Sequence, residues 1–476
     1  MASSIRGFPP SSRQAELQAF AQRIAPQSKG QGEPLLGGRH FWLSDYTAYH
    51  APSHFNSLKM YSTRMSNNEI CNNENLKADH TADGVLYTYQ TGQEYLGIFP
   101  VWDWSRLPGT TNRAGVLGTK VKQQGLTSFV GGLATASSST NSSGVAMSVM
   151  DYQSANFGAG DEGGVSARKA WFFLPTGTVA LSHNISGVAA PAAEIVTTLE
   201  QSLLANPGGD MGGGSTVSIG GGSAGAPTVV PPGNSSVPAG HWVHHDGKVY
   251  TPIETPASGA AAPWKLETGV RSGSWMAINE GLDNATDGET VSLPVFLLEA
   301  SHGPAPAGVS FAYAVLPGVG TASGASAAVA SFHASTKVVA NDAAAQAVLA
   351  TPAVGEDVLM IVAWPAAVTT VVDSGKPGLK VTMPGPTKGG LLTVKLGASG
   401  AVFSAADPTN GSGGGSLTFT IDKSLEELQA TTLHRDAAAS EIGPVSCKKA
   451  AAAGSTVVTV TLPNGTAAGS TVSGHC

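Results

Sequence analysis

The sequence predicts a mainly β protein. Its 476 residues include 60 Gly and 29 Pro with only 7% aromatic residues, a balance that favours short strands and turns over long helices. From His40 onward, β-branched or aromatic runs recur at roughly ten-residue intervals, separated by Gly, Asn and Pro. One segment near the N-terminus carries an apolar stripe at helical spacing, and a single amphipathic helix cannot bury its stripe alone. A chain of this length divides into about two to four domains of roughly 100–200 residues.

That helix is expected over residues 12–25, where Leu17, Phe20, Ala21 and Ile24 follow the i, i+3, i+4, i+7 pattern behind a serine cap and Pro26 marks the stop. The strand-like runs come next: GVLYTY, EYLGIF, TSFVGG, VAMSVMDY, AWFFLP and TVALSHNI, the material of a large antiparallel sandwich. Residues 205–240, rich in Gly, Ser and Pro, read as a long flexible loop or insertion, after which strands resume with HWVHHDGKVY. An Ala-rich stretch, 319–351, is expected to be part strand and part helix. Beyond Pro365, the runs VVDSGKPGLKVTM, GGLLTVKL, SLTFTID and STVVTVTLP suit a compact sandwich of about 100 residues.

The net charge of −7 and a pI near 5.9, with no basic cluster, argue against nucleic acid as a partner. Cys71, Cys447 and Cys476 are too few and too scattered for a disulfide framework or a CxxC metal site, although Cys447 and Cys476 can be paired. The N-terminus lacks the apolar core of a secretory signal, and no window approaches about 18 apolar residues. Against that stand six Asn-x-Ser/Thr sequons, at Asn141, Asn184, Asn234, Asn284, Asn410 and Asn464, as a secreted chain would carry. There is no HExxH, GxSxG, GxGxxG or P-loop, and the scattered histidines show no zinc spacing.

Charged residues make up only 12% of the chain, yet ten of them lie between Lys59 and Arg106. Within that run, SNNEICNNENL surrounds Glu69 and Glu74 with Asn67, Asn68, Asn72, Asn73 and Asn75. Amides offer donor and acceptor without charge and suit sugar hydroxyls and carboxylates; an Asn-rich turn bonding its own backbone is the competing reading. FPVWDWSRLPGTT gathers Phe99, Trp102, Trp104, Asp103 and Arg106. Such a group serves either as a sugar-stacking platform or as core, since strand alternation would put both tryptophans on one face.

The run from Phe41 to Thr111, with ARKAWFFLPTGTVALSHNIS, TTLEQSLL, WVHHDGKVY, TGVRSGSWMAIN, HGPAPAGVSFAYAVLPG and NDAAAQAVL following in order, resembles polysaccharide lyase family 8, the hyaluronate, chondroitin AC and xanthan lyases. The resemblance implies an α/α toroid, then a large antiparallel supersandwich, then a smaller C-terminal sandwich. On that pattern residues 1–36 are a remnant of the helical domain, 37–366 the central domain and 367–476 the C-terminal domain, with the toroid otherwise without a match. It implies β-eliminative cleavage beside a uronic acid. There an Asn neutralises the carboxylate, while a His and a Tyr handle the C5 proton. Those three residues belong to the helical segment that finds no match, so this chain is expected to be inactive or weak by itself. The family's ExxNxEN motif reads as Glu69, Asn72, Glu74 and Asn75, with Arg64 in the preceding SxR element. Glu69 is implied to orient the catalytic groups and Asn72 to contact substrate, with Arg64, Glu74 and Asn75 in binding or loop-holding roles. The expectation is therefore a secreted, monomeric protein that takes an acidic polysaccharide and no cofactor, metal or membrane. A non-catalytic carbohydrate-binding sandwich is the alternative.

Overall fold

The structure, a computed structural model, describes residues 14–27, 36–68, 74–117, 125–135, 144–154, 164–188, 193–205, 216–221, 226–256, 262–281, 288–353, 356–365, 369–384, 389–397, 400–409, 415–423, 445–449, 454–462 and 472–475. It falls into two compact units, Met1–Leu36 and Gly37–Cys476.

In the first unit a helix spans Gln14–Gln27. It runs past Pro26, because a proline in the last turn gives up one amide donor without breaking the turns before it. Leu17 and Ala21 are half-buried, and Phe20 is exposed.

The second unit is almost wholly β, as expected. Among the described residues its 29 strands form five sheets with antiparallel pairing throughout. A four-stranded sheet (Gly37–Phe41, Tyr46–Ala51, His54–Lys59, Val85–Tyr89) and a five-stranded sheet face a central nine-stranded sheet. The five-stranded sheet runs Gly233–Val237, Trp264–Gly273, Val291–Ser301, Ile195–Leu203, Thr111–Arg113. The core between these layers holds Tyr49, Leu58, Trp171, Phe173, Tyr250, Trp264, Phe296 and Tyr313.

Strand Val165–Leu174 shows how the sequence specifies this. Trp171 and Phe173 point into that core, while Ala170, Phe172 and Leu174 pack on the opposite side against Val348, Met360, Trp364 and the helix Ala322–Ser335. A sheet covered on both faces needs apolar residues at every position, so its central strands read as continuous hydrophobic runs. The covering layer is a six-stranded sheet that starts at Thr336–Asn341 and includes Ala345–Ala353, Glu356–Ala363, Gly390–Gly397, Gly400–Ala406 and Val472–His475. Its far face packs on a second five-stranded sheet through Leu359, Ile361, Phe403, Phe419 and Val458. The Ala-rich stretch is helix then strand, as its composition suggests.

Three expectations fail locally. EYLGIF, residues 94–99, is not strand but turns that lead into a 3₁₀ segment. Part of 205–240 is strand: Val217–Gly220 and Thr228–Val230 extend the nine-stranded sheet, and Gly233–Val237 closes the edge of the five-stranded one. Edge pairing needs backbone more than side-chain bulk: Val217 and Val237 are buried, while Val229 on the outermost strand is exposed. Trp102 and Trp104 do not share a strand face either. They follow a short 3₁₀ turn, Phe99–Val101, with rings at 89°, and both are buried in an outer core with Tyr95, Ile98, Leu203 and Val295.

Gly109 ties this outer segment to the sheets. Its φ of +82° is one that L side chains rarely adopt, and an added Cβ would stand 2.7 Å from the Gly84 carbonyl oxygen and 2.9 Å from the Leu86 nitrogen. Its amide bonds the Thr198 carbonyl at 2.8 Å. Gly109→Ala is expected to lower unfolding stability by about 1–3 kcal/mol through strain at that position. A shift of the urea midpoint measures it, and an unchanged midpoint would show that the turn relaxes freely.

Candidate functional site

The candidate loop leaves the sheet after strand His54–Lys59 and is fixed at once to Asp45, a fully buried residue with φ of +46°. Asp45 Oδ2 accepts a hydrogen bond from Ser62 Oγ at 2.5 Å, and Oδ1 accepts Arg64 Nη2 at 2.6 Å. The same Nη2 reaches the Val130 carbonyl at 2.8 Å, and Nη1 reaches those of Thr409 at 3.1 Å and Ser128 at 3.2 Å. The guanidinium of Arg64 is thus spent on protein oxygens, including one from 345 residues away. This arrangement holds the loop's entry and leaves the fork little to offer a ligand.

Glu69 and Asn72 lie outside the described residues. Glu74 is exposed. Asn75 has φ of +55°, its carbonyl accepts the Ala78 amide at 3.2 Å, and its Oδ1 is buried without a hydrogen-bond partner. Both side-chain polar atoms of Asn68 are likewise buried and unbonded. Unbonded buried amides at the two ends of the 69–73 segment are what a polar ligand or ordered water would satisfy.

The loop's foot is tightly bonded. Asn67 Nδ2 donates to the Asp79 carbonyl at 3.2 Å, Thr81 Oγ1 donates to that of Ala78 at 2.8 Å, and the Leu76 amide bonds Ile278 O at 2.7 Å. Beneath it, Asp83 Oδ2 lies 2.7 Å from His80 Nδ1 and accepts from Tyr152 OH at 2.9 Å and Asn112 Nδ2 at 3.2 Å. Burial opposes a charge on His80, but the Asp83 carboxylate overcomes it and holds the imidazole above its usual pKa. Burial brings Lys169 down to about 7, with Asp83 working against the fall; its ammonium donates to Gly109 O at 2.7 Å.

The tyrosines here are poor bases. Burial first, and the charge of Asp83 second, push the phenols of Tyr61 and Tyr152 far up, so both stay protonated. Tyr87 and Tyr95 are raised by burial in the same way. Hydrogen bonding and positioning are within this wall's reach, whereas taking a proton needs a phenol shifted the other way.

A second polar cluster lies on the outer face of the five-stranded sheet. Arg106 Nε meets Asp103 Oδ2 at 2.7 Å and its Nη1 meets Glu299 Oε2 at 3.2 Å, while Arg271 grips Glu267 at 2.7 Å and Gln201 Oε1 at 2.9 Å. Burial raises the Asp103 carboxyl, but Arg106 and Ser105 more than reverse that and hold it below its usual range. Sequence reasoning singled out Asp103 and Arg106 and missed Gln201, Glu267, Arg271 and Glu299. The signal was available only in part: Arg271 stands in the TGVRSGSW run four residues after Glu267, but Gln201 comes from another strand. Among the described residues no group of three or more His, Cys, Asp or Glu is placed to hold a metal. No helix among them is long and apolar enough to cross a membrane.

Comparison with known proteins gives a consistent result. The family model described as polysaccharide lyase family 8, super-sandwich domain, matches residues 36–328. Chondroitinase-AC of Pedobacter heparinus is 30% identical over 287 residues, which is 59% of this chain and 35% of that protein. Xanthan lyase of Bacillus sp. strain GL1 is 27% identical over 290 residues, 59% of this chain and 28% of the other. The chain therefore spans about a third of the length of these curated relatives. A Paenibacillus xanthan lyase structure superposes with a TM-score of 0.72 at 24% identity, covering 97% of this chain and 39% of that one. A chondroitinase AC lyase determined with oligosaccharides gives 0.67 at 22%, covering 99% and 61%. At those identities the solved structures speak for the fold alone.

Proposed function

The chain belongs to polysaccharide lyase family 8, and we propose that its β body forms one wall of a cleft that grips an acidic, uronate-containing polysaccharide of the glycosaminoglycan or xanthan type. The observation that carries this reading is that the range of the family match, 36–328, takes in the Asp45–Arg64 anchor and the loop from Met65 to Asn75. In this reading Asn72 contacts the polymer and Glu69 orients the groups that act on it. Glu74 and Asn75 complete the polar rim, and Arg64, with its donors engaged by Asp45, Val130 and Thr409, positions the loop.

β-Elimination needs a neutralised carboxylate and a base at C5. By the resemblance those roles fall to an Asn, a His and a Tyr of a helical segment, and the tyrosines near this loop are held protonated. Residues 1–476 by themselves therefore grip, and cleave weakly or not at all. The alternative of a carbohydrate-binding sandwich with no catalytic role is favoured by that same observation. The site of action is extracellular, where polymers of this size are met. We take the β body as a central domain and a C-terminal domain; the strands Thr336–Asn341, Ala345–Ala353 and Glu356–Ala363 share a sheet with Gly390–Gly397 and Gly400–Ala406, which argues for setting the boundary near residue 336 and not at the expected 366.

The test pairs two readouts on the purified chain: retardation in gels containing chondroitin, hyaluronan or xanthan, and the ultraviolet absorbance of a newly formed unsaturated uronate. Retardation by at least one polymer is expected, weakened about tenfold in Asn72→Ala, with little absorbance gain. Absence of retardation by all three would sink the proposal. A brisk absorbance rise from this chain alone would show that the proton-transfer groups lie within it.

A further inference from the structure

A cavity of about 320 Å³ opens on the outer face of the five-stranded sheet, lined by Arg106, Lys265, Glu267 and Glu299 at its base and by Asn234, Ser235 and Ser236 at its rim. Of the family motif, the described residues Glu74 and Asn75 do not line it. We infer that this cavity is a second carbohydrate subsite, specific for a neutral sugar unit. The inference rests on the reading of the chain as a polysaccharide-binding protein.

The charge balance selects the ligand. Arg106 and Lys265 carry two positive charges and Glu267 and Glu299 two negative ones, so the base is neutral in sum. Each charge is already paired. Arg106 bonds Glu299 at 3.2 Å and stands 3.9 Å from Glu267; Arg271 holds Glu267 at 2.7 Å; Lys265 bonds Glu194 at 2.6 Å. A uronate or sulfate entering here would meet two carboxylates and find no uncommitted cation. Vicinal hydroxyls, by contrast, can donate to the carboxylates and accept from guanidinium and ammonium without disturbing the pairs.

The base is also rigid. Arg106 is fixed on its other side by Asp103 at 2.7 Å, and Glu267 by both Nε and Nη2 of Arg271, so the polar groups are oriented before a ligand arrives. At the rim the side chains of Asn234 and Ser236, which pair in register with Glu267 and Lys265 on the same face, make no hydrogen bond to described residues, leaving one amide and one hydroxyl for a sugar. They sit on Gly233–Val237, an edge strand that pairs on one side only, with Trp264–Thr268, so backbone donors and acceptors are on offer as well. The volume lies at the small end of the range for ligand pockets and suits one or two pyranose rings.

Titration of the intact chain, followed by NMR chemical shifts and calorimetry, tests this with three probes: cellobiose, N,N′-diacetylchitobiose and trigalacturonate. At least one neutral probe is expected to bind weakly and to shift resonances of Asn234 to Ser236. Ser236→Trp, an exposed substitution that plugs the rim, and Asn234→Ala should each weaken that binding by about tenfold or more. Asn72→Ala should leave it unchanged, and trigalacturonate should not compete. The proposal is overturned if neither neutral probe binds, if Ser236→Trp binds as the parent does, or if trigalacturonate competes at these residues. Loss of acidic-polymer retardation with neutral binding intact would count against the cleft alone and leave this subsite standing.

Discussion

Acidification from pH 7 to 4.5 is expected to remove most of the stability of the β body. Four histidines drive it. Burial lowers His40 to about 3, with Arg64 adding to the effect, and His245 to about 3. Burial also lowers His54 to about 4, helped by His50, and His302 to about 4, helped by Lys169. The structural reason is common to all four: one ring nitrogen bonds a protein group, and the other is buried with no acceptor. Protonation would place a charged donor where nothing receives it.

The unfolded chain takes these protons near pH 6.5 and the folded chain does not, so the unfolded state binds more protons below that pH and stability falls with it. Each group withdraws roughly 1.4 kcal/mol per pH unit, so four together withdraw about 5 kcal/mol per unit between pH 6 and 4, comparable to a whole domain's stability. His80 has the opposite sign, because its raised pKa contributes stability at low pH that is lost as pH rises, but it is one group against four. Lys169, at about 7 when folded and near 10.4 when unfolded, makes stability rise across that interval. The buried tyrosines make it fall again above about pH 10, the ordinary phenol value. Urea midpoints across pH 4.5 to 10 should therefore peak on the alkaline side of neutrality. His245→Gln should flatten the acid limb by one proton, and a midpoint level from pH 7 to 5 would refute the account.

The fold was legible where local pattern and burial coincide. Strands such as Tyr46–Ala51 and His54–Lys59 alternate buried and half-buried residues along their length, and the runs through Ala170–Leu174 are apolar throughout because two layers cover them. What escaped was set by long-range context. The strands within 205–240 have weak side-chain patterns and exist because neighbouring strands offer an edge. Trp102 and Trp104 look like strand alternation, yet a Pro100-containing 3₁₀ turn rotates them apart.

The site divides in the same way. Its motif residues sit close together in sequence and could be named, but the groups that hold them could not. Arg64 is committed by Asp45 and by Thr409, far off in the turn after strand Gly400–Ala406, and no spacing rule announces such partners. The cavity beside Arg106 is assembled from three separate strands and a turn, each unremarkable alone.

Lys248→Met is expected to cost about 3–5 kcal/mol, because it strips the cation from a buried carboxylate. Lys248 and Glu200 are 0% and 3% exposed with Nζ and Oε2 3.0 Å apart. Glu200 reaches this position through a bulge: the register of Ile195–Leu203 against Val291–Ser301 shifts between Thr198 and Glu200, so Leu199 and Glu200 both face the space between the sheets. There Glu200 also accepts from Tyr250 at 2.9 Å and Tyr95 at 2.8 Å, and Lys248 lies 3.4 Å from the Thr88 carbonyl. The cluster thus joins the nine-, five- and four-stranded sheets, where loss of one charge leaves the other without a counter-ion. Replacing both residues together, Lys248→Met with Glu200→Leu, removes the stranded charge and should restore part of the loss, the two tyrosine hydroxyls accounting for the remainder. Urea titration of the two single variants and the double variant gives the coupling directly. A double variant as unstable as the two single losses combined would mean that the pair acts through packing volume, with electrostatics secondary.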